Sequence, residues 1–462
     1  MTGGHMTGGH PKGLQVLFYT EMWERFSYYG MRAILVLYMT KALGFDVAKA
    51  SGFYGNFTGL AYLMPLAGGY IADRWWGNRR SILVGGMIMA LGQFLMFVGA
   101  SFHDNAAVSI PMLWAGLGVI VCGTGLFKAN ISSMVGSLYA PDDRRKDSAF
   151  TIFYMGINIG AFLAPLVAGG LGDTGDPSDF RWGFLSAAVG MTAATIIFQS
   201  FKDRYVVDAQ GRPLGLPPSH RTADHADGGH QGPMQREDWE RVAVIFILSF
   251  FVIFFWMAFE QAGASLTVFA DRQTERDLGG WTVPASWFQS INAVAIVLFA
   301  PIFAWMWQKL GARRLDPSTP VKMSLGFVFL GLGYLVIAFG VKGLDPAVKV
   351  SMMWLVGLYV LHTFGELCLS PIGLSAVSRL SPPRFASLMM GVWYLASAAA
   401  NKLAGVLSGF YPEAGKPAPV LLGFEITGLH EFFVIFVFLS AAAGVVLFLL
   451  ARPISKWSHG RA

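Results

Sequence analysis

The run Val242-Ala-Val-Ile-Phe-Ile-Leu-Ser-Phe-Phe-Val-Ile-Phe-Phe-Trp-Met-Ala-Phe259, followed at once by Glu260 and Gln261, decides the class of this protein. An uncharged stretch of this length is nearly enough helix to cross a hydrocarbon layer about 30 Å thick. An acid at the end of such a run is costly in lipid, so it marks a wet interior. Comparable stretches recur along the 462 residues, of which 54% are hydrophobic and only 13% charged. A soluble core does not absorb that much apolar surface.

Twelve spans are expected, at 14–43, 51–75, 80–102, 111–139, 148–171, 182–201, 239–269, 284–310, 321–341, 348–378, 384–410 and 431–450. The chain therefore reads as an all-α membrane protein. Several spans exceed the minimum crossing length, which suggests tilted or kinked helices around a cavity.

Cytoplasmic loops collect Lys and Arg, and the split here is lopsided. With the N-terminus inside, 22 of the 34 basic residues lie on the cytoplasmic side, among them Arg74, Arg79, Arg80, Arg144, Arg145, Lys146, Arg313 and Arg314, against 8 outside. The remaining four, Arg25, Arg32, Lys128 and Lys402, fall within helices. The net charge of +6 is thus a topology signal, with no nucleic-acid partner read into it. Cys122 and Cys368 fall inside spans, so a disulfide is not expected, and nothing has metal-site spacing. Met-Thr-Gly-Gly-His occurs twice in tandem ahead of Pro11 and reads as a duplicated start or tag, with no cleavable signal before the first span.

Between Lys202 and Asp238 the chain turns polar and rich in Gly, Pro and His, the composition of a flexible linker. His220, His225 and His230 are evenly spaced in it, but solvated linker is the better reading than a metal site. The expected organisation is a cytoplasmic N-terminus at 1–13, a six-helix bundle at 14–201, a cytoplasmic linker at 202–238, a second six-helix bundle at 239–452 and a cytoplasmic tail at 453–462. The halves echo each other weakly, as repeated bundles do: Pro65 to Arg79-Arg80 matches Pro301 to Arg313-Arg314, and Met155-Gly156 matches Met390-Gly391. Gly69-Tyr-Ile-Ala-Asp73-Arg74, ending in Arg79-Arg80, resembles the loop signature of the major facilitator superfamily, whose fold is two six-helix bundles.

Eight ionisable residues lie at membrane depth: Glu21, Glu24, Arg25, Arg32, Lys128, Glu260, Glu366 and Lys402. At roughly 3 kcal/mol each they would cost about 20 kcal/mol unpaired, so pairing or water must offset most of it. On the first helix Glu21, Glu24, Arg25, Tyr28, Tyr29 and Arg32 share an arc of roughly 140° at about 100° per residue. Glu21 and Arg25 are four apart and can pair, either as a packing pair or as working groups, while Arg32 has no acid in reach on its own helix. With Lys402 near a helix end, where it can snorkel, the deep charges are polarised: Arg and Lys in the first half, Glu260 and Glu366 in the second. Such a chamber suits a zwitterion. Lys128, Arg32 and Glu260 could pair across it when it is empty, giving a charge switch for alternating access.

Tyr62, Trp256 and Trp393 lie near these charges and line either the pocket or the packing. Asn158 and Asn292 are helix glue or pocket donors. His362, four residues before Glu366, either packs or tunes that acid, and Pro371 is expected to kink its helix. Gly123-Thr-Gly125 reads as close helix packing rather than a nucleotide site. No nucleophile elbow, zinc-protease motif or phosphate loop is present, which argues against a membrane enzyme.

Glu21-Met-Trp-Glu24-Arg25-Phe-Ser-Tyr28-Tyr29-Gly30 resembles the ExxERFxYYG signature of the proton-dependent oligopeptide transporters. Phe259-Glu260-Gln261-Ala-Gly and Gly365-Glu366-Leu-Cys-Leu-Ser370-Pro371-Ile-Gly-Leu-Ser375 also resemble that family's patterns. The resemblance implies a proton-coupled importer of di- and tripeptides without a cofactor, acting as a monomer in a bacterial inner membrane with both termini cytoplasmic. It implies that Glu21, Glu24, Arg25 and Glu260 serve proton coupling, that Arg32 and Lys128 hold the peptide carboxylate, and that Glu366 receives the amino terminus. Asn158 and Asn292 would assist, with Tyr29, Tyr62, Trp256 and Trp393 lining side-chain pockets. Two departures stand out. The extra helix pair that many bacterial relatives insert between the halves is not expected. Gly55 stands where animal relatives have a functional His, and the outer loop at Asp345 is short, so coupling would rest on carboxylates. A carrier of nitrate or an amino-acid conjugate on the same fold is the alternative, against which Glu366 argues because nitrate has no ammonium.

Overall fold

The computed structural model describes residues 9–140, 143, 145–208, 210–217, 234–344, 348–382 and 385–459, without the side chains of 386 and 387. His220, His225, His230, Asp345, Arg144 and Arg384 lie outside them.

Twelve long helices account for the expected spans among the described residues: α1 (Lys12–Leu37), α2 (Val47–Ile71), α3 (Gly77–Ser101), α4 (Ala106–Ser137), α5 (Arg145–Gly172), α6 (Phe180–Tyr205), α7 (Arg236–Phe259), α9 (Ser290–Ala312), α10 (Thr319–Gly340), α11 (Met352–Leu380), α12 (Ala386–Ser408) and α13 (Leu429–Leu449). Two short helices, α8 (Ser265–Arg272) and α14 (Ala451–Trp457), complete the set. Among the described residues nine stretches are long and apolar enough to cross a membrane, and one of them, Val47–Ser101, holds both α2 and α3. The two helices outside this set are α1, which carries the polar stripe, and α12, which is rich in Ala and Ser and holds Asn401 and Lys402. No helix lies between α6 and α7 among the described residues.

The expected single span at 239–269 is corrected. Helix α7 stops at Phe259, a 3₁₀ turn runs Glu260–Gly263, and Ala264, at φ −127° and ψ −98°, separates it from α8. The break is built in. A Cβ on Gly263 would sit 1.7 Å from the Tyr54 hydroxyl, so only a glycine lets the chain approach there. The carbonyls freed at a helix end need donors, and the Tyr334 hydroxyl donates to Ala258 O (2.6 Å) and Thr267 Oγ1 to Ala262 O (2.7 Å). Similarly, the first span is α-helical to Leu37 and finishes in a π turn, Tyr38–Ala42, and α11 runs unbroken through Pro371.

The signature residues from Gly69 stay helical to Ile71, inside the span expected at 51–75, and pass into a π turn at Ala72–Trp76 before the chain turns at Gly77 (φ 69°). The linker is not loose from its start. Residues 206–208 and 210–215 pair as the two arms of a small hairpin, with Leu214 N donating to Val206 O, and Arg79 clasps it by donating to Leu214 O (3.1 Å), Val206 O (2.7 Å) and Lys202 O (3.1 Å), with its other arm on Asp203 (2.5 Å).

The chain separates into two compact units. The first comprises residues 1–31, 64–172 and 178–224, and the second residues 32–63, 173–177 and 225–462. The first has an apolar core of Leu17, Met89, Phe127, Ile131, Met134, Phe153, Met191 and Phe198. Close crossings occur beside polar contacts such as Asn130 Nδ2 to Gly68 O (3.4 Å): a Cβ on Gly68 would meet Gly125 O at 1.9 Å, and one on Gly123 would meet Gly85 O at 2.7 Å, so Gly123 and Gly125 are helix-packing positions. In the second unit Gly55 meets Gly405 backbone to backbone, where a Cβ would lie 2.7 Å from Cα of the partner glycine. No imidazole fits at that position.

Candidate functional site

In the first unit the charged stripe of α1 holds a triad of neighbours on one helix. Arg25 Nε lies 3.0 Å from Glu21 and 2.5 Å from Glu24, and all three side chains are buried. Tyr28 and Tyr29 stack beneath the guanidinium, their ring centres 5.6 and 6.0 Å from it. Lys128, half-buried on α4, is near enough for its charge to act on both acids. Helix α5 comes down on this stripe through small residues four apart. A Cβ on Gly160 would meet Met22 O at 2.3 Å and Arg25 Cβ at 3.0 Å, while Gly156 faces Phe18 and Ala164 and Ala168 face Gly30. The sequence reading missed this stripe, although small residues at such spacing are its signal. Asn158, also on α5, donates to Tyr154 O (2.9 Å) on its own helix.

In the second unit Arg32 supplies the cation. Its Nε donates to the Tyr54 hydroxyl (2.5 Å) and its Nη2 to Glu260 Oε2. Arg32 and Glu260 are both buried, so neither charge is held by bulk water. Glu260 sits at the C-terminal end of α7, where the carbonyl dipoles are negative, and Arg32 therefore answers the carboxylate and the helix end together. Glu366 accepts from Asn292 Nδ2 (2.8 Å), which also donates to Thr363 Oγ1 (3.0 Å). Glu260 is close enough for its charge to act on Glu366, and Arg32 on Tyr359. The second unit thus joins Arg32, Glu260, Asn292 and Glu366 in one neighbourhood, and Lys128 belongs to the first unit.

Trp256 packs edge-on against Phe255 (5.5 Å) and Phe259 (5.0 Å), and Trp393 is buried with its ring over Gly373. Tyr62 is half-buried on α2. His362 is buried between Tyr334 (4.7 Å) and Phe259 (6.0 Å). Lys402 is exposed and donates to Asn56 Oδ1.

Tyr54 and Thr363 were not foreseen, since a lone Tyr or Thr in an apolar helix carries no distinguishing pattern. Neither was a clasp at the α1–α8 end of the second unit. Lys41 Nζ bridges Asp173 (2.7 Å) and Asp271 (3.0 Å), Arg276 adds to Asp271 (2.8 Å), and Asp173 also accepts from Ala285 N (3.0 Å). Nearby, Glu413 takes Arg272 (2.9 Å), Lys416 (2.8 Å) and Val47 N (3.2 Å). Partial burial works against the Glu413 carboxylate, but these donors outweigh it and hold its pKa below the usual range.

An α-helical chain that meets the membrane length rule many times over, with buried acid and base pairs inside its helices, is a multi-pass membrane transporter. The chain belongs to the POT family: the family model PTR2, described as POT family, matches residues 79–208 and 227–419. It is 36% identical to the peptide transporter YePEPT of Yersinia enterocolitica, over 88% of this chain and 89% of that one. It is 30% identical to dipeptide and tripeptide permease A of Escherichia coli, over 96% and 92%. Among solved structures, a peptide transporter POT in complex with sulfate superposes with a TM-score of 0.82 at 32% identity, covering 98% of this chain and 97% of that one. A POT family transporter in complex with 5-aminolevulinic acid gives 0.80 at 28% identity, with 98% of each covered. These likenesses carry the major facilitator fold. The family consists of transporters, and this chain is not an enzyme.

Proposed function

We infer that this chain is a proton-coupled symporter that imports di- and tripeptides by alternating access across the bacterial inner membrane. The single observation that carries the reading is the neighbourhood of Arg32, Glu260, Asn292 and Glu366 within one unit, a cation and two acids together at membrane depth. A short peptide offers the complement, a carboxylate and an ammonium several ångströms apart.

In this reading Glu260 neutralises Arg32 while the site is empty. A proton taken by Glu260 releases the guanidinium to the peptide carboxylate, with Lys128 as a second cation, and Glu366, steadied by Asn292, takes the ammonium. The triad Glu21, Glu24 and Arg25 passes the coupling proton. Asn158 assists, and Tyr29, Tyr62, Trp256 and Trp393 shape the side-chain pockets. The Lys41 clasp holds the α1–α8 end shut until the pair below it lets go.

The bundles at 14–201 and 239–452, the linker at 202–238 and cytoplasmic termini at 1–13 and 453–462 complete the proposal, supported by the basic-residue split. So do action as a monomer in lipid, with no nucleic-acid partner, and the proton as coupling ion in place of a cofactor. Transport of another small amine-bearing acid by the same machinery is favoured by the relative that holds 5-aminolevulinic acid.

Purified protein in vesicles tests this. Acid outside should drive accumulation of a labelled dipeptide, and Glu366→Gln should weaken peptide binding by about 100-fold, the loss expected when a charged partner disappears from a buried pair. Equal uptake without the gradient would sink coupling. Full binding by the variant would sink the ammonium site.

A further inference from the structure

The connection from α8 to α9 contains a feature outside the charged neighbourhood. Residues 277–282 form a tight hairpin, with Asp277 bridged to Thr282, Leu278 N donating to Trp281 O (2.9 Å), and Gly279 and Gly280 turning at φ 69° and 95°. Two adjacent residues at positive φ give the turn that matches strand twist, so the hairpin is a defined object. At its turn it displays Leu278, 56% exposed, and Trp281, 50% exposed. A polar pair there would satisfy a loop facing only water.

Trp281 is not isolated. Its ring packs against Trp287 at 5.3 Å, and Trp287 lies in the 3₁₀ turn Ala285–Gln289 that leads directly into α9. Along α9 the exposed apolar residues are Val294, Val297, Leu298, Ile302 and Trp305. At about 100° per residue they fall roughly 140° to 280° around the helix from Asn292. Asn292 faces Glu366, so the exposed stripe turns away from the charged neighbourhood, and an uncharged apolar stripe of this kind suits contact with lipid. The Trp281–Trp287 pair prolongs that stripe to the hairpin tip. Tryptophan rings favour the headgroup level, where an apolar body and a polar N–H are both satisfied.

We propose that the hairpin 277–282 is a lipid anchor, seating Leu278 and Trp281 in the headgroup and upper acyl region of the leaflet at that end of α9. It fixes the depth and tilt of the helix that carries Asn292. The partner is the bilayer surface itself, with no chemical step involved. This holds whether or not the cargo is a peptide.

The test uses the full chain in lipid nanodiscs, with Cys122 and Cys368 replaced by Ser and a nitroxide attached at Leu278→Cys. Collision with oxygen, which concentrates in lipid, is compared with collision with a water-soluble nickel chelate. Leu298→Cys supplies the lipid reference, and Gln210→Cys, exposed in the linker, supplies the water reference. The expected ratio at 278 lies clearly above that of Gln210 and below that of Leu298, which sits about 12 Å further along the helix, and Thr282→Cys provides the same readout should the first variant fail to fold. A ratio matching Gln210 overturns the anchor. Spin–spin broadening that shows two copies meeting at 278 also overturns it, in favour of self-association. Dipeptide uptake by each labelled variant reports on folding separately, so loss of the peptide reading leaves the anchor result standing.

Discussion

Arg25 and Arg32 stand seven residues apart on α1, yet their partners come from very different distances along the chain. Arg25 is answered by Glu21 and Glu24 within one turn of its own helix, whereas Arg32 is answered by Glu260, 228 residues away, and by Tyr54 on the next helix. The first cluster exists wherever α1 is helical. The second exists only when α7 has stopped at Phe259 and brought its end beside α1. A coupling relay benefits from local pairs that persist through a conformational cycle. A gate benefits from long-range pairs, because separating two elements is enough to break them.

This contrast can be broken at graded strengths. In the proposed reading the local cluster serves the proton, so Glu21→Gln should abolish gradient-driven accumulation while leaving peptide exchange across the membrane intact. If gradient-driven uptake survives, Glu21 has no part in coupling.

Next in size, Glu260→Gln should cost about 3–5 kcal/mol of stability, since it leaves Arg32 buried beside a neutral amide. The double change Arg32→Met with Glu260→Met should recover most of that loss. Thermal unfolding in detergent measures both. A double variant as unstable as the single one would show that the pairing is not what stabilises the site.

Gly160→Ala probes the bed of the local cluster. Its Cβ would lie 2.3 Å from Met22 O, so α5 must move off α1 at a cost of about 1–3 kcal/mol. The expected signature is a lower unfolding midpoint with proton coupling impaired more than exchange; an unchanged midpoint would mean that α1 and α5 separate freely.

The smallest effect belongs to Glu413. Its folded-state pKa is depressed by its donors, so its stabilising contribution is fully present above the ordinary glutamate pKa and is lost as pH falls through the lowered one. Glu413→Gln should cost no more than about 0.5 kcal/mol at neutral pH, because the group is only partly buried, and nothing at strongly acid pH. A midpoint difference that grows on acidification would contradict this assignment.

The same division governs what could be read before any coordinates. The membrane class, the twelve helices and the polar stripe of α1 with its Glu21–Arg25 pair were legible because hydrophobic length and helical spacing are properties of consecutive residues. Arg32 was legible as a cation without a local answer, and Glu260 as an acid out of place. Neither Tyr54 nor the Lys41 clasp was, since Asp173 and Asp271 lie 132 and 230 residues from Lys41 and look like ordinary loop acids.

By itself the sequence determined which solvent this chain occupies and which charges must find partners, because transfer costs are paid residue by residue. Only the tertiary structure decided who those partners are. The end of α7 at Glu260 depends on Gly263 lying against Tyr54, on Tyr334 capping Ala258, and on Arg32 arriving from another helix. Each of those contacts is set by packing between distant segments, which no local pattern encodes.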